Sequence, residues 1–521
     1  MERKASHSQA AGTTTMASSA QDLVAALNGI SIASLDGEAR TQLADALTRV
    51  QESLSEAGTG KQTVDPYNVQ GEVDQDGNVQ AINYNKLTQE FGTKLIDQAL
   101  LDRFEQVTGH RPHRFMRRGV FFSHRDLEAI LDRYEKGEPF FLYTGRGPSS
   151  DSMHMGHTIP FAFTKWLSDV FDAPLVIMLT DDEKFLFSEK RKRKEVKEYA
   201  RQNAKDIIAC GFDPKKTFIF SDYGYMGGAF WEMVTEVAKL ITFNQARGIF
   251  GADGSTNIGR IHFGAVQGST CFASTFPQIF GTDEEATTKI PCLIPCAIDQ
   301  DPYFRMTRDV AARLHWAKPS LIHARFLDAL QGPGSKMSAS VDSSAIFMKD
   351  TPNQIKNKIN KHAFSGGRET VEEHREKGGN PDIDVSYQYL RYFMEDDDEL
   401  QKVYDSYKKG ELLTGELKAL CIKYLQEYVK EFQENRAKVT DEVLEEFMRA
   451  RPLECKGNPK APVELPLRTK AAVANAGAAE DGAAGGDGKL TKNQLKKLEK
   501  QKQTEAKKAA KALEKENKAK E

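Results

Sequence analysis

Pro139-Phe140-Phe141-Leu142-Tyr143-Thr144-Gly145-Arg146-Gly147-Pro148, followed by Met153-His154-Met155-Gly156-His157 and then Leu175-Val176-Ile177-Met178-Leu179, is the stretch that decides the fold. Its first segment is a short apolar run ending in a Gly/Pro break, as a strand does on leaving a sheet. Ile159, Phe163, Trp166, Leu167 and Val170 then recur at helical spacing and mark one face, which stops before Pro174. The run from Leu175 to Leu179 is apolar without alternation, as a strand buried on both faces requires. Strand, helix and strand within about forty residues make a βαβ unit with a parallel pair.

Further strands are expected at residues 217–220, 293–298 and 321–324, separated by helix-like stretches. The expected fold is therefore α/β, with a Rossmann-like doubly wound parallel sheet in a catalytic domain over residues 136–351 and ligands at the strand C-terminal ends. Residues 352–452 are helical in pattern throughout and predict a separate all-α domain. Residues 64–135 read as a hairpin and helix extension, with Asp76-Gly77 as the hairpin turn. Residues 21–63 read as a small helical appendage and linker, and residues 1–20 as disordered. At the other end, residues 453–488 read as a flexible linker, since residues 471–488 hold eight Ala and five Gly. Residues 489–521 hold 12 Lys and 5 Glu. With a capping-box pattern at Thr491 and Gln494, they read as a basic helical tail.

Composition excludes several classes. The 521 residues are 39% apolar, and the longest apolar runs fall far short of the ~20 residues a membrane span needs, so no membrane association is expected. Six cysteines without paired short spacing do not make a disulfide framework, which leaves a reducing, cytoplasmic home as the expectation. Cys292 and Cys296 stand four apart, but no second pair completes a zinc set, and no tightly bound metal is expected. The first twenty residues lack the apolar core of a secretory signal, and Met16 leaves an alternative-start, organelle-targeting reading open. Lys+Arg 72 against Asp+Glu 75 gives a net charge of −3. Since the tail alone carries +7, the other residues sum to −10: an acidic body with a basic tether, which does not exclude an RNA partner.

Two motifs carry chemistry. Met153-His154-Met155-Gly156-His157 opens a helix after a strand and loop. Imidazoles at i and i+3 share a face there, and a helix N-terminus favours phosphate. Gly156 lets a flat ring approach the backbone. A nucleotide laid across this edge places its α-phosphate near both imidazoles; two incidental histidines are the competing reading. Gly332-Pro333-Gly334-Ser335-Lys336-Met337-Ser338-Ala339-Ser340 places a lysine among small hydroxylic neighbours on a Gly-rich loop. That suits a mobile phosphate clamp, with a solvated surface loop as the alternative. The spacing is not that of a P-loop.

The order and context of the two motifs resemble the paired signatures of class I aminoacyl-tRNA synthetases. Residues 143–150 (YTGRGPSS), 180–184 (TDDEK), 297–305 (AIDQDPYFR), 336–340 (KMSAS) and 363–367 (AFSGG) narrow this. They resemble the eukaryotic-type, cytoplasmic tryptophanyl-tRNA synthetases over roughly residues 64–452. The resemblance implies activation of L-tryptophan by ATP with Mg²⁺, then transfer to tRNA(Trp), by positioning and phosphoryl charge stabilisation. It implies that His154 and His157 bond the α-phosphate and that Gly156 seats adenine. Lys336, Ser338 and Ser340 would hold pyrophosphate, and Thr144, Gly145, Arg146, Gly147 and Met337 would complete the ATP site. Tyr143 would accept the indole N–H, and Glu183, Gln267 and Gln300 would take the α-ammonium and carboxylate.

The resemblance has two departures. Met178 stands where relatives can carry a polar acceptor, and Ala339 where a second lysine is common. A thioether accepts only weakly but packs well on aromatic faces. The family also implies that the helical domain reads the anticodon, that catalytic domains pair as a homodimer, and that the N-terminal hairpin orders over the active site. Competing readings are an inactive synthetase-derived RNA-binding or signalling protein, a tyrosine-specific relative, and a shorter nucleotidyltransferase of the same superfamily. The acidic run at residues 395–399 reads as a solvated helix start, with cytosine recognition as the alternative.

Overall fold

A computed structural model describes residues 62–65, 69–72, 80–337 and 341–455, with residues 333–336 described by their backbone alone. The expectations for residues 1–61, the Asp76-Gly77 turn, Ser338, Ser340, the Lys336 side chain, most of the linker and the basic tail lie outside the described residues. The strands, in chain order, begin with β1 (Thr63–Val64), β2 (Val69–Gln70), β3 (Lys94–Leu95), β4 (Phe121–Arg125) and β5 (Phe141–Arg146). They continue with β6 (Leu175–Leu179), β7 (Thr217–Ser221), β8 (Cys292–Ala297), β9 (Ser320–Ala324), β10 (Asp328–Ala329) and β11 (Gly332–Lys336).

Among the described residues, one sheet of seven strands has the order β3-β4-β9-β8-β5-β6-β7. The five strands from β9 to β7 are parallel, and β4 pairs antiparallel with both β9 and β3. Read outward from β5, the chain winds one way through β6 and β7 and the other way through β8 and β9. The crossovers therefore diverge between β5 and β8, and a crevice opens there at the strand ends. Every residue of β6 and β9 is buried, which is why their apolar runs do not alternate. All five expected parallel strands form. The antiparallel edge of β3 and β4 was not anticipated.

Between β5 and β6 runs the helix Met155–Phe171, which buries Ile159, Phe163, Leu167 and Val170. His154 is its extended N-cap. Residues 332–336, expected as a loop, instead form β11, paired antiparallel with β10 across a register shift that puts Asp328 opposite Lys336.

Beyond Pro352 the described chain is helical, as expected: Pro352–His362, Val371–Lys377, Val385–Phe393, Asp397–Lys408, Thr414–Ala437 and Asp441–Met448. The acidic run is a helix start, with Asp396 accepting from the Asp398 and Glu399 N–H groups. It is not simply solvated, because Arg117 and Arg118 of the N-terminal extension bind the Asp397 carboxylate.

Candidate active site

The ends of β5 and β8, the helix Met155–Phe171 and the segment after β9 enclose a cleft of about 380 Å³ at the switch point of the sheet. It is lined by Tyr143, Thr144, Gly145, Arg146 and Gly147 from the first segment, and by His154, Gly156 and His157 from the second. Glu183, Gln267, Gln300 and Met337 also reach it. Residues read separately along the sequence thus converge on one cavity. Met178 does not line it. Fully buried, its Sδ lies 3.3 Å from Tyr143 Oη, behind the tyrosine. Lys336 is placed by its backbone on β11, next to the lining Met337.

The imidazoles of His154 and His157 stack with ring centroids 3.4 Å apart and planes 26° from parallel. The His154 N–H donates to His157 Nδ1 at 3.3 Å, so the second histidine helps to cap its own helix. A Cβ on Gly156 would come within 3.3 Å of the His154 ring and 3.5 Å of Met337 Sδ. Pro160 lies one turn later and has no N–H for the Gly156 carbonyl, which leaves that oxygen without the usual helical donor.

Arg146 supplies the positive charge of the first segment. Its Nε donates to Asn203 Oδ1 at 2.9 Å, while Nη2 is buried without a hydrogen-bond partner among the described residues. Burial pulls its pKa down to about 10, opposed by the Asp206 and Glu183 carboxylates. A buried guanidinium nitrogen without an acceptor calls for an anion. Thr144 Oγ1 is already engaged, donating to the Pro295 carbonyl at 3.2 Å across the switch point. Gly147 allows a close approach, since a Cβ there would collide with Lys184 Cε.

Beside Gly147 the cleft carries an ion pair between Glu183 and Lys184, and Gln267 and Gln300 add uncharged polar groups. Glu183 Oε2 accepts from Thr180 Oγ1 at 2.6 Å, and Oε1 accepts from Lys184 Nζ at 2.9 Å. Gln267 Nε2 reaches Gln300 Oε1 at 3.4 Å. Tyr143 is buried, which pushes its phenol well above the ordinary value and keeps it neutral. Beneath the floor, Asp301 binds Arg125 Nε at 2.7 Å and lies 3.1 Å from His323 Nε2, and Ser123 Oγ lies 3.0 Å from His323 Nδ1.

Sequence reasoning missed Asp299, Tyr303, Phe304, Arg325 and Phe326, which also line the cleft. The first three lie within or beside residues 297–305, so that segment was the available signal. Arg325 and Phe326 follow β9. The Phe326 N–H donates to Tyr84 Oη at 3.0 Å, and the Arg325 guanidinium lies 4.8 Å from the Tyr84 ring centre, which brings the N-terminal extension to the site's edge.

Beside the cleft, Asp181, Asp182 and Asp222 bring carboxylate oxygens within 4.8 Å of one another, close enough to hold a cation. Burial raises all three: Asp181 to about 6, Asp182 above the ordinary range, and Asp222 well above it, with the neighbouring carboxylates adding to the effect.

The family model for class I tRNA synthetases (W and Y) matches residues 135–430. The cytoplasmic tryptophan–tRNA ligase of Saccharomyces cerevisiae is 58% identical over 404 residues, 78% of this chain and 93% of the relative. The Homo sapiens cytoplasmic tryptophan–tRNA ligase is 55% identical over 392 residues, 75% and 81% of the two chains. The solved tryptophanyl-tRNA synthetase of Encephalitozoon cuniculi, bound to tryptophan, superposes with a TM-score of 0.66 at 43% identity, covering 71% of this chain and 98% of that one. With more than half its length matched and two stacked imidazoles at the switch point of a doubly wound sheet, the chain belongs to the class I tRNA synthetases of the W and Y type.

Proposed function

We propose that the chain is a cytoplasmic tryptophan–tRNA ligase. It joins L-tryptophan to the α-phosphate of ATP, carried as its Mg²⁺ complex, and passes the tryptophanyl group to tRNA(Trp). The carrying observation is the convergence on one cleft of the cationic side chain Arg146 and the imidazoles of His154 and His157 with the uncharged Tyr143, Gln267 and Gln300. The tryptophan carboxylate attacks the α-phosphorus, an O–P bond forms, and the bond to the β-phosphate oxygen breaks to release pyrophosphate. The imidazoles and Arg146 offset charge on the phosphoryl oxygens, and Gly156 gives adenine room. Lys336, with Ser338 and Ser340, holds the pyrophosphate. Tyr143 accepts the indole N–H, and Glu183 exchanges Lys184 for the substrate ammonium while Gln267 and Gln300 take the remaining polar groups.

The helices from Pro352 to Met448 read the anticodon in this proposal, and the basic tail adds phosphate contacts. Two copies pair. The exposed Trp231 (51%), Phe243 (46%) and Ile258 (82%) support an apolar contact of this kind. ATP–pyrophosphate exchange with tryptophan and with tyrosine, followed by charging of total tRNA, tests the reading. Exchange with tryptophan and charging of one acceptor are expected. No exchange overturns the enzyme, and exchange with tyrosine alone overturns the substrate.

A further inference from the structure

The long helix Thr414–Ala437 of the helical lobe reaches the His154–His157 segment from three directions. From upstream, Arg436 Nε donates to Asp206 Oδ1 at 2.7 Å, and Asp206 Oδ2 accepts the N–H of Met153, the residue before His154, at 3.3 Å. From downstream, Tyr428 Oη donates to Thr158 Oγ1 at 2.8 Å, and that hydroxyl donates to the Met155 carbonyl at 2.8 Å. From the side, Gln433 Nε2 donates to the Met348 and Asp350 carbonyls at 2.9 and 3.1 Å. The segment it holds is paired with the signature. Met155 N–H donates to the Ile346 carbonyl at 2.8 Å, Met348 N–H donates to the Met153 carbonyl at 3.0 Å, and His154 bridges Phe347 between them.

A common strut makes these contacts act together. The helix Arg193–Ile208 carries Gln202 and Asp206, both bound by Arg436, and Asn203. Asn203 holds Arg146 through Oδ1 and the Ser150 carbonyl through Nδ2, at 2.9 and 2.7 Å. Asp206 is only 6% exposed, so its charge relies on the guanidinium of the other lobe. A displacement of Arg436 is therefore passed to Met153 by one carboxylate and to Arg146 by one helix.

We propose that Arg436, Tyr428 and Gln433 are positioning residues for the phosphate-facing end of the cleft, so that the helical lobe, and not the sheet alone, sets where His154 and His157 stand. The proposal rests on the reading of those imidazoles as the α-phosphate contacts. Phosphoryl transfer is sensitive to placement, with about 10²-fold lost for a displacement of about 1 Å.

The test is tryptophan-dependent ATP–pyrophosphate exchange by the full chain carrying Tyr428→Phe and Arg436→Lys, beside thermal melting. Both changes keep bulk, and the second keeps a charge facing Asp206. Exchange by the unaltered chain is the control, and its absence refutes the ligase reading rather than this one. The expected result is a five- to twentyfold fall in kcat, KM for tryptophan within twofold, and a melting temperature close to that of the unaltered chain. An unchanged kcat overturns the proposal. So does a rise in KM for tryptophan that parallels the loss of kcat and a lowered melting temperature, which marks general loosening. Tyr428→Phe alone removes one oxygen and keeps the ring, and it carries the same test if the pair of changes prevents folding.

Discussion

Arg125 grips Asp301 through two nitrogens, Nε to Oδ1 at 2.7 Å and Nη2 to Oδ2 at 2.8 Å, directly under the turn that presents Gln300 to the cleft. Burial opposes ionisation of Asp301, but the hydrogen bonds from Arg125 and His323 outweigh it and hold the carboxyl at about 2. A carboxyl depressed from the ordinary value of about 3.9 stabilises the fold above that value and loses the contribution as pH falls toward 2. Asp301→Asn is expected to cost about 2–3 kcal/mol at pH 7 and much less at pH 2–3, measured by urea unfolding at each pH. Equal losses at both pH values would assign the effect to packing.

Asp181 has the opposite sign. Burial raises it to about 6, with Asp182 adding to the shift and the Tyr223 N–H opposing it. A raised folded-state pKa favours the fold below about 3.9 and loses that advantage as pH climbs through 6. Asp181→Asn keeps an oxygen for the Tyr223 N–H, 3.1 Å away, and removes the buried charge. Its stability relative to the unaltered chain is expected to improve by about 2–3 kcal/mol between pH 4 and pH 8. Denaturant titrations that give the same difference at both pH values would contradict this.

Tyr143→Phe separates binding from folding. The hydroxyl donates to the Met178 thioether, a weak acceptor, and also bonds the Thr270 side chain, so its removal is expected to cost about 1 kcal/mol of stability. Loss of the indole contact is expected to raise KM for tryptophan about tenfold, with KM for ATP unmoved. Both constants come from one exchange assay, and an unchanged KM for tryptophan would remove Tyr143 from the indole end.

Lys336→Ala is expected to slow adenylate formation at least tenfold, about 1.4 kcal/mol or more of transition-state stabilisation. Ala339 leaves a single lysine in the motif, so no neighbour within it can substitute. Single-turnover adenylate formation at saturating ATP is the measurement, and an unaffected rate would take Lys336 out of the pyrophosphate site.

The parallel strands were legible because strands buried on both faces write their burial directly into apolar runs, as Leu175 to Leu179 does. β4 was not, since Phe121–Arg125 ends in Ser, His and Arg whose partners are far away: His323 is 200 positions from Ser123. Gly332 and Pro333 are poor strand residues and read as loop, yet pairing with Asp328–Ala329 draws them into β11. For the site, motif spacing located both imidazoles and the resemblance located Gln267 and Gln300. Arg325 and Phe326 belong to no local pattern and became visible only when the chain closed around the cleft. The acidic run at residues 395–399 illustrates the same limit. Its sequence suggests solvent, and the arginines that occupy Asp397 come from the opposite end of the described chain.

The bond between Arg436 and Asp206 joins positions 230 residues apart. During synthesis the parallel strands, His154 and His157, and the β10–β11 pair all leave the ribosome before Arg436 exists. Until the last long helix docks, the Asp206 carboxylate lacks its cation and Met153 hangs from an unpaired acceptor. On the positioning role proposed above, the His154–His157 segment is held fully only once residue 436 has been made, and a nascent or truncated polypeptide ending before it would hold those histidines loosely.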